Sequence, residues 1–474
     1  MTVVWFRQDL RLSDHPALHW AIERGGPVVP VYIESFDEEG RWAPGGAGRW
    51  WLHQSLLALA ADLESVGSRL IVLRGDALGV LRELVKETGA EAVVWHRRYE
   101  PAVIDRDKAV KKGLKGDGVE AESLNGSLLF EPWEVETGEG KPYQVYSPFS
   151  RNCLERDEPD SPLERPGRLK VPEVWPDSLK LEALSLLPKI RWYEEMADVW
   201  APGEEGAQAR LDAFVGRSSV DYEGQRDRPD LEGTSRLSPH LHWGEISPRQ
   251  VYHGVLEGLP KGATRKDVMK FIKEVVWREF GYHLLYHFPH TPEEPLREKY
   301  AAFPWRTSKK DLEAWQRGRT GIPIVDAGMR QLWATGWMHN RVRMIVASLL
   351  VKQLLISWEE GAEWFWDTLV DADLASNTLG WQWAGGCGAD AAPYFRVFNP
   401  VLQGEKFDPD GVYTKRWVPE LAEMPAKWLF KPWDAPESVL EEAGVTLGES
   451  YPEPIVDLKD GRERALKAFE KVKG

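Results

Sequence analysis

The amino-acid sequence predicts an α/β domain with a doubly wound parallel sheet, followed by an all-α domain. Over residues 1–125, short β-branched segments alternate with amphipathic helical segments, the order that generates parallel βαβ units. After residue 206 the strand patterns fade and long helical patterns dominate. The chain has 474 residues, more than one ordinary domain holds. We assign residues 1–125 to the α/β domain, 126–206 to an interdomain connector and 207–474 to the helical domain.

Five segments of the first domain have the β-branched composition of strands: TVVWF, PVVPVYI, RLIVLRG, EAVVWHR and VEAESL. The segments between them repeat apolar residues every three or four positions, most clearly in RWWLHQSLLALAADLESVG and DALGVLRELVKETG, which is typical of helices. Right-handed crossovers would join these strands into one parallel sheet. No GxGxxG sequence follows any of the five segments, so the ordinary dinucleotide-binding fingerprint is missing.

The middle segment, residues 126–206, is rich in Pro, Glu and Gly, as in ERDEPDSPLERPGR. Such a composition predicts a long surface connector. Beyond it, KDVMKFIKEVVWREFGYHLLYHF and HNRVRMIVASLLVKQLLISW have the periodicity of long helices.

Charge and cysteine content limit the classes of partner. Seventy-five acids against sixty bases give a net charge of −15, which argues weakly against nucleic acid, although a local basic groove can still bind phosphates. No apolar run approaches the roughly 18 residues of a membrane span, and the N-terminus is not a signal peptide. Cys153 and Cys387 are the two cysteines and supply neither a disulfide framework nor a zinc site. We expect a protein of the bacterial cytoplasm that uses no membrane and no metal.

Residues 233–248, GTSRLSPHLHWGEISP, place hydroxyls and backbone N–H groups ahead of a helix, with the guanidinium of Arg236 beside them. This combination can bind a phosphate. An ordinary capped loop has the same composition and is the better interpretation of this motif alone.

Two further motifs place polar and flat side chains on helices. In FIKEVVWREFGYH, Glu274, Trp277 and Arg278 share one face, since residues three and four apart are neighbours on a helix. An indole beside hydrogen-bonding groups suits a splayed-out base, although a core tryptophan flanked by a surface ion pair fits as well. In GWMHNRVRM, Asn340 and Met344 offer an amide and a thioether to a flat ring, although methionine at helical spacing is usually core.

The fourth motif, DADLASNTLGWQWAGGCGADAAPYFRVFNP at residues 371–400, combines small residues with aromatic and acidic ones. Small residues allow the backbone to approach a ligand closely, and Asp371, Asp373 and Asn377 add polar groups. The whole chain holds 24 tryptophans, far more than a hydrophobic core needs. A turn-rich junction between helices accounts poorly for this combination.

In this order and at this spacing, the four motifs resemble those of the photolyase/cryptochrome family. The segment WFRQDLRLSDHPAL at residues 5–18 is similar to that family's opening strand and loop. The resemblance extends from Val3 to about Trp433, nearly the whole chain, and implies that the helical domain holds a U-shaped FAD.

The resemblance also implies which residues bind this cofactor. The expected phosphate cradle consists of Tyr222, Thr234, Ser235, Arg236, Leu237 and Ser238. Around the isoalloxazine we expect Arg343 and Asp371 as an ion pair, Asp373 as a nearby polar contact and Asn377 facing flavin N5.

Residues of the expected pocket distinguish the branches of the family. At the positions of Asn340 and Met344, photolyases for the (6-4) lesion are expected to carry histidines. The DASH branch is expected to carry Gln at the position of Met344. Plant cryptochromes are expected to carry Asp at the positions of Asn340 and Asn377. The set that matches class I cyclobutane pyrimidine dimer photolyases is Glu274, Trp277, Asn340, Met344 and Trp383. The resemblance therefore implies a class I deoxyribodipyrimidine photo-lyase, whose partner is UV-damaged DNA.

The implied mechanism is light-driven electron transfer from excited FADH⁻ to a dimer that has flipped out of the duplex. Trp277 and Trp383 are expected to wall the pocket, while Glu274 and Asn340 hydrogen-bond to the pyrimidine edges. Met344 completes this pocket. The arginines expected to contact DNA phosphates are Arg226, Arg278, Arg341 and Arg396.

Tryptophans in series can pass an electron between flavin and surface, because indole is oxidisable. The resemblance assigns this role to Trp381 nearest the flavin, followed by Trp358 and then Trp305 at the surface. We call these three residues the tryptophan chain. Most of the other tryptophans are expected to lie in the core.

Two other functions are alternatives to DNA repair. A blue-light signalling protein that binds FAD without repair usually has an extended C-terminal tail, whereas this chain ends about forty residues beyond Trp433. A flavin oxidoreductase acting on small molecules has no supporting feature beyond the flavin. A light-harvesting folate or deazaflavin is common in the family, but Val103 and Arg98 stand where folate binders are expected to carry Glu and deazaflavin binders Asp. We expect a monomer.

Overall fold

The computed structural model describes residues 1–394 and 396–472, which form two compact units. The first unit comprises Met1–Val220, Ser235–Pro289 and Val370–Ala375, and the second comprises Asp221–Thr234, His290–Leu369 and Ser376–Gly474. Each unit draws on separated stretches of the chain. The domain boundaries at residues 125 and 206 therefore stay a prediction.

A five-stranded parallel sheet lies in the first unit, in the order β3-β2-β1-β4-β5. Its strands are β1 (Thr2–Phe6), β2 (Val28–Glu34), β3 (Ile71–Arg74), β4 (Ala92–His96) and β5 (Glu120–Leu124). In the centre, Val3 lies opposite Val29 on one side and Val93 on the other, and all three are fully buried. All five strand predictions are confirmed, and the reversal of strand order beside β1 is that of a doubly wound fold.

Helices follow the strands as the sequence pattern predicts, and α3 shows why. The helix begins where the Asp76 side chain accepts the backbone N–H of Gly79 at 2.7 Å, and it ends at Gly89, whose φ is +65°. Its apolar residues Leu81 and Leu84 are buried. The helices before residue 290 are α1 (Pro16–Glu23), α2 (Gly46–Ser65), α3 (Ala77–Thr88), α4 (Pro101–Gly116), α5 (Tyr146–Glu155), α6 (Met196–Val199), α7 (Glu204–Arg217), α8 (Tyr222–Gln225), α9 (Ser238–His242), α10 (Pro248–Glu257) and α11 (Arg265–His287).

Residues 126–206 were expected to form a surface connector, but α5 belongs to the interior of the first unit. Its side chains Tyr146, Phe149 and Cys153 are buried, and α5 packs against α11. The Pro- and Glu-rich composition of the flanking sequence conceals this short amphipathic helix.

No strand of a sheet follows β5 in the described residues, so the prediction of an all-α second half is confirmed. None of the helices in the described part of the chain is long and apolar enough to cross a membrane. The helices after residue 290 are α12 (Lys309–Gln316), α13 (Pro323–Thr335), α14 (Asn340–Ser348), α15 (Trp358–Thr368), α16 (Leu374–Gly385), α17 (Pro400–Phe407), α18 (Val412–Trp417), α19 (Ala426–Leu429), α20 (Glu437–Glu442) and α21 (Leu458–Glu470).

The helix predicted over HNRVRMIVASLLVKQLLISW is not regular throughout. After α14, residues Leu349–Gln353 form a π-helical turn, in which the N–H of Leu354 donates to the carbonyl of Leu349 at 2.9 Å. The backbone then reverses at Leu355, whose φ is +57°. Apolar periodicity does not distinguish an α-helix from a single π turn, so the sequence alone missed this feature.

Candidate functional site

In the first unit, α11 carries Glu274, Trp277 and Arg278. The ring of Trp277 stacks on Tyr146 of α5, with 3.5 Å between ring centroids and 8° between planes, and the Tyr146 hydroxyl donates to the Lys273 carbonyl at 2.6 Å. One face of this indole is therefore occupied, so a flipped-out base could stack only on the opposite face. The sequence offered no signal for Tyr146, which lies in the predicted connector.

The position of Arg278 argues against the predicted phosphate contact. Its guanidinium donates to the Ser127 carbonyl at 2.7 Å, lies 3.5 Å from a Glu279 carboxylate oxygen and sits 4.7 Å from the centroid of the Tyr282 ring. The side chain is only 12% exposed. A guanidinium that protein groups already surround can neutralise a DNA phosphate only by giving up some of these contacts, and the phosphate contact of Arg278 stays a prediction.

Asp373 lies in a buried polar cluster of the first unit. It accepts a hydrogen bond from the Tyr282 hydroxyl, and Nδ1 of His242 lies 3.6 Å from its carboxylate. Burial alone would raise the pKa of Asp373, but the interaction with His242, the charge of Arg278 and the Tyr282 hydroxyl outweigh burial and lower it. The cluster therefore keeps a carboxylate ionised inside the protein. Sequence reasoning missed His242 and Tyr282, because residues so far apart along the chain form no local motif.

The loop predicted to cradle phosphate divides between the units. Ser235, Arg236, Leu237 and Ser238 belong to the first unit, whereas Tyr222 and Thr234 belong to the second. Arg236 has a φ of +52°, in the left-handed region that a non-glycine residue rarely adopts.

Residues 233–238 contain hydroxyls, backbone N–H groups and a guanidinium but no acid. This donor set fits the pyrophosphate of FAD. In the second unit Tyr222 is buried, and the Arg226 guanidinium lies 5.3 Å from its ring centroid.

Two of the predicted pocket residues lie on α14 of the second unit, where Asn340 is exposed and Met344 is half-buried. The two arginines of this helix are engaged by protein groups. Arg341 donates to Asp227 at 2.8 Å, and Nε of Arg343 donates to the Met338 carbonyl at 2.7 Å. Arg341 must therefore share its guanidinium with Asp227 if it contacts phosphate. The expected ion pair of Arg343 with Asp371, a buried residue of the first unit, stays a prediction.

On α16, the side-chain amide of Asn377 has a fixed orientation. Its Nδ2 donates to the Ala362 carbonyl at 3.1 Å, inside the second unit. The carbonyl end of the amide is thus the end available to accept a hydrogen bond, as a contact to flavin N5–H would require. Trp383, six residues along the chain, is half-buried and lies 6.4 Å from the Phe398 ring.

Two members of the tryptophan chain are buried and the third is partly exposed. Trp381 and Trp358 are each 2% exposed, whereas Trp305 is half-buried. Both buried indoles pack where α15 meets α16, because a Cβ at Gly361 would lie 2.1 Å from Trp381 and one at Gly385 would lie 3.5 Å from Trp358. The greater exposure of Trp305 is what its predicted place at the surface requires, while the order of Trp381 and Trp358 and the electron-transfer role stay predictions.

A cluster of Asp9, His15 and His96 in the first unit has the ligand types of a metal site. Nε2 of His15 and Nδ1 of His96 lie 3.1 and 2.9 Å from the Asp9 carboxylate, and the opposite ring nitrogens accept the N–H groups of Leu18 and Ala17. Each neutral ring therefore carries its proton on the side of Asp9. Burial lowers the pKa of His96 to about 3. A cation would have to displace both ring protons, and the expectation that the protein uses no metal stays a prediction.

The structure gives Arg98 a role inside the α/β fold. Its guanidinium contacts Glu39 and Glu100, each at 2.8 Å, and Val103 is buried. Arg98 thus pairs with two carboxylates, and Val103 packs in the core. A folate or deazaflavin antenna stays a prediction.

Comparison with known proteins identifies the family. Residues 2–167 match the family model described as DNA photolyase, and residues 271–471 match the FAD binding domain of DNA photolyase. A deoxyribodipyrimidine photo-lyase from Agrobacterium fabrum is 53% identical over 99% of this chain and 98% of the relative. Cryptochrome-1 from Arabidopsis thaliana is 39% identical over 99% of this chain and 70% of the relative.

Among solved structures, a bacterial class III photolyase from Agrobacterium tumefaciens is similar with a TM-score of 0.96 and 53% identity. The match covers 100% of this chain and 97% of that one. Similarity of this degree along the whole length shows that the chain belongs to the photolyase/cryptochrome family.

Proposed function

We propose that this protein is a light-dependent enzyme that repairs cyclobutane pyrimidine dimers in UV-damaged DNA. The observation that carries the proposal is full-length similarity, at 53% identity, to a deoxyribodipyrimidine photo-lyase. The arrangement of Trp277 adds support, because Tyr146 holds one face of the indole and leaves the other for a flipped-out base.

Within this function, two subclasses compete. The five pocket residues matched the class I enzymes, but a solved relative with 53% identity is described as class III. The class I assignment is therefore not confirmed, and we propose that the protein groups with the class III enzymes. The proposed substrate, a cyclobutane dimer, is unaffected by this choice.

We infer that the cofactor is FAD, in keeping with the match of residues 271–471 to an FAD binding domain. When bound in its reduced form, it supplies the electron that light transfers to the dimer. The loop from Thr234 to Ser238 would hold its phosphates, and the amide of Asn377 would accept from the ring. Asp373, kept ionised by its neighbours, and Asp371 would supply negative charge near it.

The family resemblance implies lesion contacts in each unit. In the first unit Trp277 of α11 would stack on a flat pyrimidine, and in the second unit Trp383 of α16 and Met344 of α14 would offer an indole and a thioether to a flat ring. Glu274 and Asn340 would hydrogen-bond to the pyrimidine edges, where negative charge develops after electron transfer. The candidates for phosphate contacts are Arg226, Arg278, Arg341 and Arg396, and of these four Arg396 is the exposed one.

A repair assay tests the function directly. Reduced protein and DNA with a thymine dimer should lose dimer absorbance under near-UV or blue light and retain it in the dark. Trp383→Phe should weaken lesion binding or repair, while fast photoreduction of the oxidised protein persists. A fully reduced, FAD-loaded protein that leaves dimers intact under illumination would refute repair and favour light signalling, as in the cryptochrome relatives.

A further inference from the structure

The last residue of α14 and the π-helical turn of the second unit are hydrogen-bonded to a segment that follows α16, in which Tyr394 is buried and Arg396 is exposed. We call the described residues Tyr394 and Arg396–Phe398 the 394–398 segment. Four hydrogen bonds make this connection: Lys352 Nζ to the Arg396 carbonyl at 2.9 Å, Gln353 Nε2 to the Phe398 carbonyl at 2.6 Å, the Phe398 N–H to Ser348 Oγ at 3.3 Å and the Tyr394 hydroxyl to the Val351 carbonyl at 3.2 Å.

Lys352 is the unusual member of this set, because it is only 2% exposed. Burial lowers its pKa to about 8, and no carboxylate within the described residues pairs with it. Its ammonium makes one hydrogen bond there, to Arg396, and lies 5.3 Å from the centroid of the Tyr394 ring. Burying an ammonium without an acid is unfavourable, and an apolar side chain would fill the same space at no such cost. The bond to the Arg396 carbonyl and the contact with the Tyr394 ring are therefore what distinguish lysine from methionine at this position.

The carbonyl that Lys352 binds belongs to an exposed residue. The backbone of Arg396 is hydrogen-bonded to a buried ammonium of the second unit, while Arg396 as a whole is exposed to solvent. Two residues along, Phe398 contacts the edge of Trp383 at 6.4 Å between centroids. One buried ammonium thus restrains the backbone beside both a proposed phosphate contact and a proposed lesion contact.

We propose that Lys352 is a positioning residue for DNA binding, which fixes the backbone of Arg396 so that its guanidinium meets a phosphate of the damaged strand. This inference rests on the proposed function. It predicts that Lys352 affects the affinity for DNA and not the repair reaction within the bound complex.

Lys352→Met tests the proposal, since methionine keeps the length of the side chain and removes the donor. The dissociation constant for dimer-containing DNA should rise about fivefold, because a displaced cation loses much of its contribution to phosphate binding. Repair per absorbed photon at saturating enzyme should be unchanged. Lys459→Met, which removes an exposed charge on α21, is the matched control and should leave the affinity within twofold. An unchanged dissociation constant in Lys352→Met would overturn the proposal.

A double-mutant cycle shows whether the effect passes through Arg396. In an Arg396→Ala background, Lys352→Met should alter the affinity by less than twofold, because the group it positions is gone. Equal effects in both backgrounds would show that Lys352 acts on binding by another route and would refute the inference.

The pH profile separates positioning from general structural support. Between pH 7 and 9 the parent's affinity for DNA should fall more steeply than that of Lys352→Met, because the neutral amine makes a weaker bond than the ammonium. Tyr394, Arg396 and Arg464 have contacts with Lys352 or its turn, and Arg464 donates to the Gln353 carbonyl. The helices packed against the turn also carry charged groups, which are Arg341 and Arg343 on α14, Glu359, Glu360, Glu363 and Asp367 on α15, and Lys459, Asp460, Arg462, Glu463, Lys467 and Glu470 on α21. Both proteins contain these groups, so their titration cancels in the comparison. Parallel profiles would contradict the proposal.

Hydrogen exchange of the DNA-free protein gives a readout that does not depend on repair. The Phe398 amide should exchange faster in Lys352→Met than in the parent, and equal exchange would refute the positioning role. If the methionine variant fails to fold, Lys352→Gln keeps a donor and should give an intermediate affinity with a flat pH profile. A parent protein that does not prefer dimer-containing DNA would refute the proposed function, while the exchange result would still decide whether Lys352 restrains the segment.

Discussion

Gly361 is the position at which one added methyl group tests the tryptophan chain most directly. A Cβ at this residue of α15 would lie 2.1, 2.3 and 2.6 Å from three atoms of the Trp381 ring. The ring would have to retreat by about 1.3 Å to restore a 3.4 Å contact. Its other neighbours, Phe365 at 4.9 Å and Trp315 at 6.1 Å between centroids, are buried and leave little room. Gly361→Ala should therefore displace Trp381 or the helix.

Two opposing effects set the change in the free energy of unfolding that Gly361→Ala causes. Overpacking a well-filled core costs about 1–3 kcal/mol, whereas replacing a helical glycine by alanine stabilises by roughly 0.5–1 kcal/mol. We expect Gly361→Ala to lower the free energy of unfolding by about 1 kcal/mol. Photoreduction of the oxidised protein should slow, because electron transfer depends on the placement of Trp381. Repair after chemical reduction should persist.

Gly380→Ala is the matched control, because Gly380 directly precedes Trp381 on α16 and a Cβ added there would have no atom within 4 Å. This variant should be as stable as the parent or slightly more stable, with photoreduction unchanged. Urea denaturation and time-resolved absorption compare the two variants. The packing argument is wrong if Gly361→Ala matches Gly380→Ala in both measurements.

Three further predictions concern the surface end of the tryptophan chain, the DNA contact and a buried acid. Trp305→Phe should abolish fast photoreduction of the oxidised protein yet preserve repair after chemical reduction. Photoreduction at the parent rate, followed by time-resolved absorption, would disprove the place of Trp305 in the tryptophan chain. Arg396→Ala should flatten the plot of log affinity for dimer DNA against log salt by about one unit of slope, and an unchanged slope would place the phosphate contact elsewhere. Burial raises the pKa of Glu279 to about 7, so the stability that this carboxyl contributes is present below its unfolded pKa of about 4.5 and is lost as pH rises through 7. Relative to the parent, Glu279→Gln should therefore gain up to about 1.4 kcal/mol of stability per pH unit across that window, as measured by urea denaturation; a difference independent of pH would contradict the shift.

The sequence alone determined those features that depend on local pattern. β-Branched runs between amphipathic segments predicted all five strands, because side-chain periodicity reports which face of an element is buried. The spacing of Glu274, Trp277 and Arg278 placed them on adjoining turns of α11 for the same reason. Motif order and spacing gave the family, because together the motifs cover nearly the whole chain.

Tertiary structure decided the features that join residues remote in sequence. The stacking of Tyr146 on Trp277, the burial of Arg278 and the cluster around Asp373 depend on how whole elements pack, and no local pattern encodes such contacts. The π-helical turn escaped prediction because its apolar residues repeat as in an α-helix, and the burial of Lys352 within that turn was likewise not predicted. Each of these outcomes depends on which neighbours exclude water from a side chain, and only the folded chain brings those neighbours together.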